Sequence, residues 1–364
     1  MKLHLTGSPC SQQRHCYYVE GDDLSYIVDC GYQRCYAGDE LPHLSGEQIR
    51  SARYLFLTHS HENQAGGLFH LIQNGFAGRV VLTTETARQL TIPLDDPIIL
   101  EAISLPYEEA MLPGGLGVTW GRSGHCSGSV WLRLSLDGRA VLFSGDYLDC
   151  ARVHAADPIQ GLTADMAVLD CDYGTAQSAN SRRDQVTELL DAIRGAIDDG
   201  RPVVLPVPLY GRGQGILTYI TEHLPDVYLF GDDRFIEELA HLNASAMWVQ
   251  QRAIQRLADA FVRPLPEGFV ALGVYFISDP QLDSAAARSL VGSILQCGGR
   301  IIMTGTVEPD TYAASLRHAG RAQLIRYGVH CTQQDMLRIA AQNAFRRVIA
   351  YRSDYAPTQQ VYEL

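Results

Sequence analysis

Apolar and polar positions in the first 170 residues fall into short alternating runs, with turn residues between them. The runs at 25–29, 54–57, 80–83, 117–120, 130–136, 140–143 and 166–170 predict β-strands. Asp137-Gly138 lies between two of these runs. The pair is a strong hairpin signal, since both residue types tolerate the positive φ of a tight turn. Helical spacing in this part is confined to 65–75 and 85–91. The pattern changes after Gly174. An amphipathic helix is expected over 181–199, a buried strand over 203–208, and helices over 213–223, 233–243, 249–261 and 283–297. A strand at 300–304, a helix at about 332–344 and a strand at 347–351 complete the chain. Alternating strands and helices point to a smaller α/β unit behind the β-rich part. No solenoid repeat or low-complexity linker is present.

A chain of 364 residues is long for a single core, so two domains are expected. Hydrophobic residues make up 46% and charged residues 19%, ordinary values for a globular protein. With 29 basic against 41 acidic residues, the formal charge of −12 excludes a generic polyanion binder while leaving room for a local basic channel. The nine cysteines (10, 16, 30, 35, 126, 150, 171, 297 and 331) are odd in number and form no CxxC motif. No apolar 18-residue run and no signal-peptide core is found. These features lead us to expect a reduced cytosolic protein, with no membrane partner and mostly buried free thiols.

The candidate chemistry sits where strands give way to loops. His59 and His61 follow the run at 54–57 and precede Gly66-Gly67. Such spacing can aim two imidazoles at one metal ion. His125 lies in the Gly-flanked stretch Ser123-Gly124-His125-Cys126-Ser127-Gly128-Ser129, and Asp146 follows another strand in Ser144-Gly145-Asp146. Three histidines and one carboxylate suit zinc, with manganese as a second option. A lone loop histidine is usually structural; four such residues in this order are harder to attribute to chance. Glu62 is read mainly as a solvated surface residue, and Cys126 and Cys171 mainly as small buried side chains. Gly305 and Gly328 are expected to serve backbone turns.

Asp29-Cys30-Gly31, His59-x-His61, Gly124-His125-x-x-Gly128-Ser129 and Ser144-Gly145-Asp146 together resemble the successive motifs of the metallo-β-lactamase superfamily. The middle of the chain resembles its β-CASP subgroup, which includes ribonuclease J and the cleavage/polyadenylation endonuclease. The resemblance rests on Leu169-Asp170-Cys171-Asp172-Tyr173-Gly174, Gly211-Arg212-Gly213-Gln214, Met303-Thr304-Gly305 and Tyr327-Gly328-Val329-His330-Cys331. It implies an α/β fold: a metallo-β-lactamase αββα sandwich over 1–176 and 301–364, with an inserted β-CASP domain over 177–300. It also implies that His59, His61, His125 and Asp146 hold a first zinc. Family members hold a second zinc with an Asp and a His of the HxHxDH signature plus a C-terminal His. The corresponding residues here are Asn63, Gln64 and, by the spacing from His330, Arg352; no histidine follows His330.

Amides are poor zinc ligands and a guanidinium does not coordinate at all. The expectation is therefore a one-metal site. The resemblance makes His330 a general acid or phosphate contact, with Asp170 orienting it, and makes Arg212, Arg352 and Ser129 candidate substrate contacts. Arg352 has a second reading as a plain ion-pair partner of an acidic neighbour. The leading expectation is a phosphodiesterase acting on RNA or single-stranded DNA. One alternative is an inactive β-CASP relative that binds nucleic acid or pairs with an active nuclease, or with its own copy as a homodimer. Another is a one-zinc hydrolase of a small ester or phosphodiester. A cytoplasmic location is expected, with a nuclear one left open.

Overall fold

The computed structural model describes residues 1–7, 14–32, 40–172, 181–352 and 359–364. Cys10, Cys35, Tyr173, Gly174, Ser353 and the expected domain boundary at residue 176 lie outside the described residues. The chain divides into two compact units. One comprises Met1–Cys150, Ala156–Gln177 and His330–Leu364; the other comprises Ala151–Ala155 and Ser178–Val329.

The first unit contains two sheets, of seven and six strands. The seven-stranded sheet runs, in spatial order, through Val361–Glu363, Lys2–Leu5, Cys16–Glu20, Ser25–Cys30, Ala52–Phe56, Arg79–Leu82 and Ile98–Ile99. The six-stranded sheet runs through Ala344–Tyr351, Thr163–Asp170, Arg139–Phe143, Val130–Leu136, Leu116–Arg122 and Ala110–Leu112. Strand alternation sends one set of side chains to each face. Tyr17 of the first sheet meets Phe143 of the second, with ring centroids 5.4 Å apart, so these two faces pack together.

The opposite face of the first sheet carries Ile27, Leu55, Leu57, Val80 and Leu82, which pack under Ile49, Leu68 and Leu71 of the covering helices. The second sheet is covered likewise: Trp131, Leu142, Ala167 and Leu169 pack under Ile339 of the helix Gln333–Ala341. This is the αββα sandwich expected from the sequence. The Asp137-Gly138 hairpin has positive φ at both residues, 52° and 69°. The helix expected over 65–75 is instead two short ones, Glu62–Ala65 and Leu68–Gln73. The chain turns between them at Gly67, where a Cβ would lie 2.7 Å from the Cys30 carbonyl oxygen.

The second unit is a six-stranded, all-parallel sheet in the order Val262–Pro264, Leu229–Gly231, Val274–Ile277, Val203–Pro206, Arg300–Met303 and Ala322–Leu324. Alternate residues feed two cores. Val203, Leu205 and Phe276 pack with Ile216, Leu217 and Phe235 on one face, and Val204, Tyr275 and Ile301 pack with Val291 and Ile294 on the other. A parallel sheet covered on both faces explains why 203–206 reads as continuously apolar.

One expectation differs from this arrangement. The strand Arg300–Met303 pairs with Val203–Pro206, so it belongs to the second unit, and the return begins at His330 rather than at residue 301. Ala151–Ala155 also joins the second unit, through Ala155 N–H donating to the Trp248 carbonyl at 2.9 Å and Gln250 N–H donating to Val153 at 2.8 Å. No helix among the described residues is long and apolar enough to cross a membrane. Cys16, Cys30, Cys126, Cys171 and Cys331 are buried, and Cys150 and Cys297 are exposed.

Candidate metal centre

His59 leaves the strand Ala52–Phe56 two residues beyond Leu57, and the turn is held by Asp29. Asp29 sits at φ 56° and accepts from Thr58 N–H at 2.8 Å and from Thr58 Oγ1 at 2.9 Å and 3.1 Å. The Thr58 hydroxyl gives its proton to Asp29, so it accepts from His59 Nδ1 at 3.2 Å. That assignment leaves the lone pair of His59 on Nε2, the atom a metal would take. His59 Nε2 is buried without a hydrogen-bond partner and lies 3.5 Å from Asp146 Oδ2.

His61 caps the short helix Glu62–Ala65, and its Nδ1 lies 3.2 Å from His125 Nε2. His125 is presented by a loop with positive φ at Gly124 (78°) and Gly128 (83°). Ser129 pins that loop: its hydroxyl donates to the Cys126 carbonyl at 2.7 Å and accepts from Cys126 N–H at 3.0 Å, with Ser123 Oγ 2.8 Å away. Ser129 therefore holds together the loop that presents His125.

The three imidazoles form a triangle with centroids 4.8, 5.0 and 5.1 Å apart. With Asp146 they offer ligand atoms that all lie within 4.8 Å of one another. Burial pushes His59 and His125 well below the usual histidine range, outweighing the pull of Asp146. Neutral rings are the form that coordinates a metal. An unpaired buried Nε2, two further neutral or half-buried imidazoles and a carboxylate fit the donor set of a zinc site.

Asp146 is saturated on its other side. Its Oδ1 accepts from Gln64 Nε2 at 3.0 Å, Tyr351 OH at 3.0 Å and Arg352 Nε at 3.1 Å, while Oδ2 accepts from Arg352 Nη2 at 2.9 Å. Burial alone would raise this carboxyl, but Arg352, then His330, His59 and His125, hold it well below the usual carboxylate range. Arg352 follows the strand Ala344–Tyr351 at φ 59°, a left-handed conformation that non-glycine residues rarely adopt. Its Nη1 lies 3.6 Å from Asp172. Its fork thus engages Asp146, as in the ion-pair reading of this residue. Two of the three expected second-metal positions, Gln64 and Arg352, meet on Asp146. Asn63 is fixed by its backbone, accepting from His15 N–H at 2.9 Å.

The His330 ring lies beside His125, tilted by 36° with centroids 4.8 Å apart, and its Nδ1 lies 3.1 Å from Asp170 Oδ2 and 3.9 Å from Asp146 Oδ2. Asp170 Oδ2 also accepts from Tyr147 N–H at 3.0 Å. Burial and Arg352 push the His330 imidazolium down, but Asp170, Asp146 and Asp172 prevail and hold it above its ordinary value. Burial raises the Asp170 carboxyl against the pull of His330.

Arg212 belongs to the second unit, where it opens the helix Arg212–His223. Its guanidinium lies so close to Gly305 that a Cβ there would fall 1.8 Å from Nη1. Gly305 therefore serves this approach, not a positive-φ turn. Glu62 is exposed, and Cys126 and Cys171 are buried. Tyr351 was not singled out from the sequence: at the end of an apolar strand it reads as core, and nothing local announces its hydroxyl contact with Asp146.

Residues 12–149, which include all four donors, match the metallo-β-lactamase superfamily. This part of the chain is a metallo-β-lactamase domain. The chain is 27% identical over 276 residues to ribonuclease TTHA0252 of Thermus thermophilus, covering 68% of this chain and 62% of the relative. It is 24% identical over 234 residues to endoribonuclease ysh1 of Schizosaccharomyces pombe, covering 58% and 31%. It is 23% identical over 234 residues to cleavage and polyadenylation specificity factor subunit 3-I of Arabidopsis thaliana, covering 58% and 34%. These relatives are β-CASP members, and the chain spans between 31% and 62% of their length. A crystal structure of a protein of unknown function from Enterococcus faecalis shares the fold, with TM-score 0.60 and 12% identity over 97% of this chain and 94% of that one.

Proposed function

We propose that the protein is a metal-dependent phosphodiesterase of β-CASP type that cleaves RNA or single-stranded DNA with a single zinc ion. The observation that carries this reading is the division of labour around Asp146. One side faces three imidazoles; the other is filled by Gln64, Tyr351 and Arg352.

His59, His61, His125 and Asp146 would hold the ion, which supplies Lewis acidity and an acidified water when bound. The chain's own residues do the rest. The Thr58–Asp29 relay fixes the His59 tautomer. Arg352 contributes one fixed positive charge where two-metal relatives hold a second cation, partly offsetting charge that develops on a phosphodiester. His330, kept protonated by Asp170 and Asp146, gives its Nε2 or Nδ1 proton to the leaving oxygen. Asp170 orients the ring through Nδ1.

The test is cleavage of end-labelled RNA and single-stranded DNA by chelator-stripped protein resupplied with zinc or manganese. Turnover should appear on resupply and vanish in His125→Ala. Turnover that survives His125→Ala would sink the proposal.

A second reading is favoured by the same saturation of Asp146: a non-catalytic relative, acting as a nucleic-acid-binding or partner subunit in the cytoplasm. Stoichiometric RNA binding without turnover under any metal would support it.

A further inference from the structure

The two loops that carry the histidines meet at their base, where Val130 N–H donates to the Thr58 carbonyl at 2.9 Å. A second tie lies further out. The helix Thr84–Gln89 ends in Gln89, a residue that is 8% exposed. Its Oε1 accepts from Ser60 Oγ at 2.5 Å and its Nε2 donates to the Ser127 carbonyl at 2.9 Å. Ser60 is the residue between His59 and His61, and Ser127 lies two residues beyond His125.

The helix itself is fixed to the His125 loop. Thr83 Oγ1 and Thr86 Oγ1 both donate to the Gly128 carbonyl, at 2.8 Å and 3.1 Å. Gly128 allows this approach: a Cβ there would lie 2.7 Å from Glu85 Cβ and 2.8 Å from Thr86 N. Gln89 therefore reaches the His59–His61 loop from a support already locked to the His125 loop.

We propose that Gln89 is a positioning residue that sets the separation of the two histidine loops, and so preorganises His59, His61 and His125 for one divalent cation. The inference rests on the metal-site reading above. A primary amide suits the task, because it presents an acceptor and a donor at the end of one planar group. It is also uncharged, so it adds nothing to the charge balance of the ion. Its contacts are to Ser60 and to a backbone carbonyl, one step outside the donors, where outer partners typically tune metal affinity.

The experiment strips wild type, Gln89→Met, Gln89→Glu, Ser60→Ala and the Gln89→Met/Ser60→Ala double variant with chelator. Each is then titrated with cobalt(II), reading the d–d absorption and the dissociation constant, with zinc competition. Melting of the metal-free proteins is followed in parallel. Gln89→Met should weaken affinity by about 10- to 100-fold and change the intensity of the cobalt bands. Its metal-free melting temperature should stay within a few degrees of wild type. Gln89→Glu keeps the acceptor for Ser60 and loses the donor to Ser127, so it should fall between Gln89→Met and wild type. The double variant should lose little beyond Gln89→Met, because Ser60 acts through the same amide.

Wild-type affinity and spectrum in Gln89→Met overturn the proposal. So does a loss that Gln89→Glu fails to rescue and that merely tracks a fall in metal-free melting temperature, since that marks a general folding role. Should Gln89→Met fail to fold, Ser60→Ala decides, with unchanged cobalt affinity and spectrum counting against the proposal. If wild type binds neither cobalt nor zinc, the metal-site reading falls and takes this inference with it. If wild type binds and Gln89→Met matches it, only the role of Gln89 falls.

Discussion

The guanidinium of Arg352 spans both carboxylate oxygens of Asp146, at 3.1 Å and 2.9 Å. A guanidinium, which cannot coordinate a metal, thus occupies one side of Asp146. Gln64 and Tyr351 complete the packing around the same carboxylate.

The metal content follows from this contact. Elemental analysis of the purified protein should give about one zinc per chain, since among the described residues one group offers four donors and the other, Asp146, Asp170 and His330, shares Asp146 with it. Asn63→Asp, Gln64→His and Arg352→His combined should raise the count to two. Two ions in the wild type would refute the one-metal reading.

Removing the guanidinium strands a buried anion. Arg352→Met should destabilise the metal-free protein by about 3 to 5 kcal/mol, the typical effect of breaking a buried ion pair from one side. The deficit should shrink when zinc is present, because a ligand bound only by the folded state adds stability through linkage. Urea denaturation with and without zinc measures both. An effect below about 1 kcal/mol would mean that the pair is solvated and weak.

His330→Gln should lower kcat on RNA by about 10²- to 10⁴-fold, the range of a lost general acid, while zinc content stays at the wild-type level. Asp170→Asn should act in the same direction by misorienting the ring. Equal activity of His330→Gln and wild type would remove His330 from the chemistry.

Asp165 gives a pH dependence away from the metal centre. It accepts from Ala140 N–H at 2.9 Å and pairs with Arg139 at 2.8 Å and Arg346 at 3.0 Å. Burial pushes this carboxyl up slightly, but these donors win and hold it below the ordinary aspartate value. A lowered folded pKa gives stability that is present above the unfolded value of about 3.9 and is lost as pH falls through the folded value. Asp165→Asn should therefore lower stability by about 1 kcal/mol at neutral pH, and the gap to wild type should close below about pH 4. Melting curves between pH 3 and 8, roughly spanning that value, would show a constant gap if the idea is wrong.

Gly128→Ala should destabilise by about 1 to 3 kcal/mol through its positive φ. Its added Cβ would also press on the backbone of Thr86. The His125 loop moves with it, so zinc affinity should fall too; an unchanged affinity would show that the loop adapts.

Much of this molecule was legible in the chain because its signals are local. Alternation marked the strands of the first unit, and Asp137-Gly138 marked a hairpin. The glycines beside His125 marked a loop that needs positive φ. The four donors stand at strand ends, where a rigid frame mounts side chains on a loop, and they could be named without coordinates. The break at Gly66-Gly67 was less visible, since it depends on the Cys30 carbonyl passing close by. The part Ser129 plays was hidden for a related reason: its hydroxyl contacts arise only when its own loop folds back on itself.

By itself, then, the sequence determined the αββα frame and the parallel α/β unit, and it singled out His59, His61, His125 and Asp146 as candidate donors and Asn63, Gln64 and Arg352 as departures from the family's second-metal signature. Periodicity and residue chemistry act over a few positions, so the order of residues was enough. Only the tertiary structure decided that Arg300–Met303 belongs to the second sheet, that Arg352 grips Asp146 instead of facing outward, and that Gln89 ties the two histidine loops. Those outcomes depend on which distant strands pair and on where a left-handed residue turns its side chain. Residues 146 and 352 come together because Arg139–Phe143 and Ala344–Tyr351 flank Thr163–Asp170 in one parallel arrangement, a relationship with no trace in local spacing.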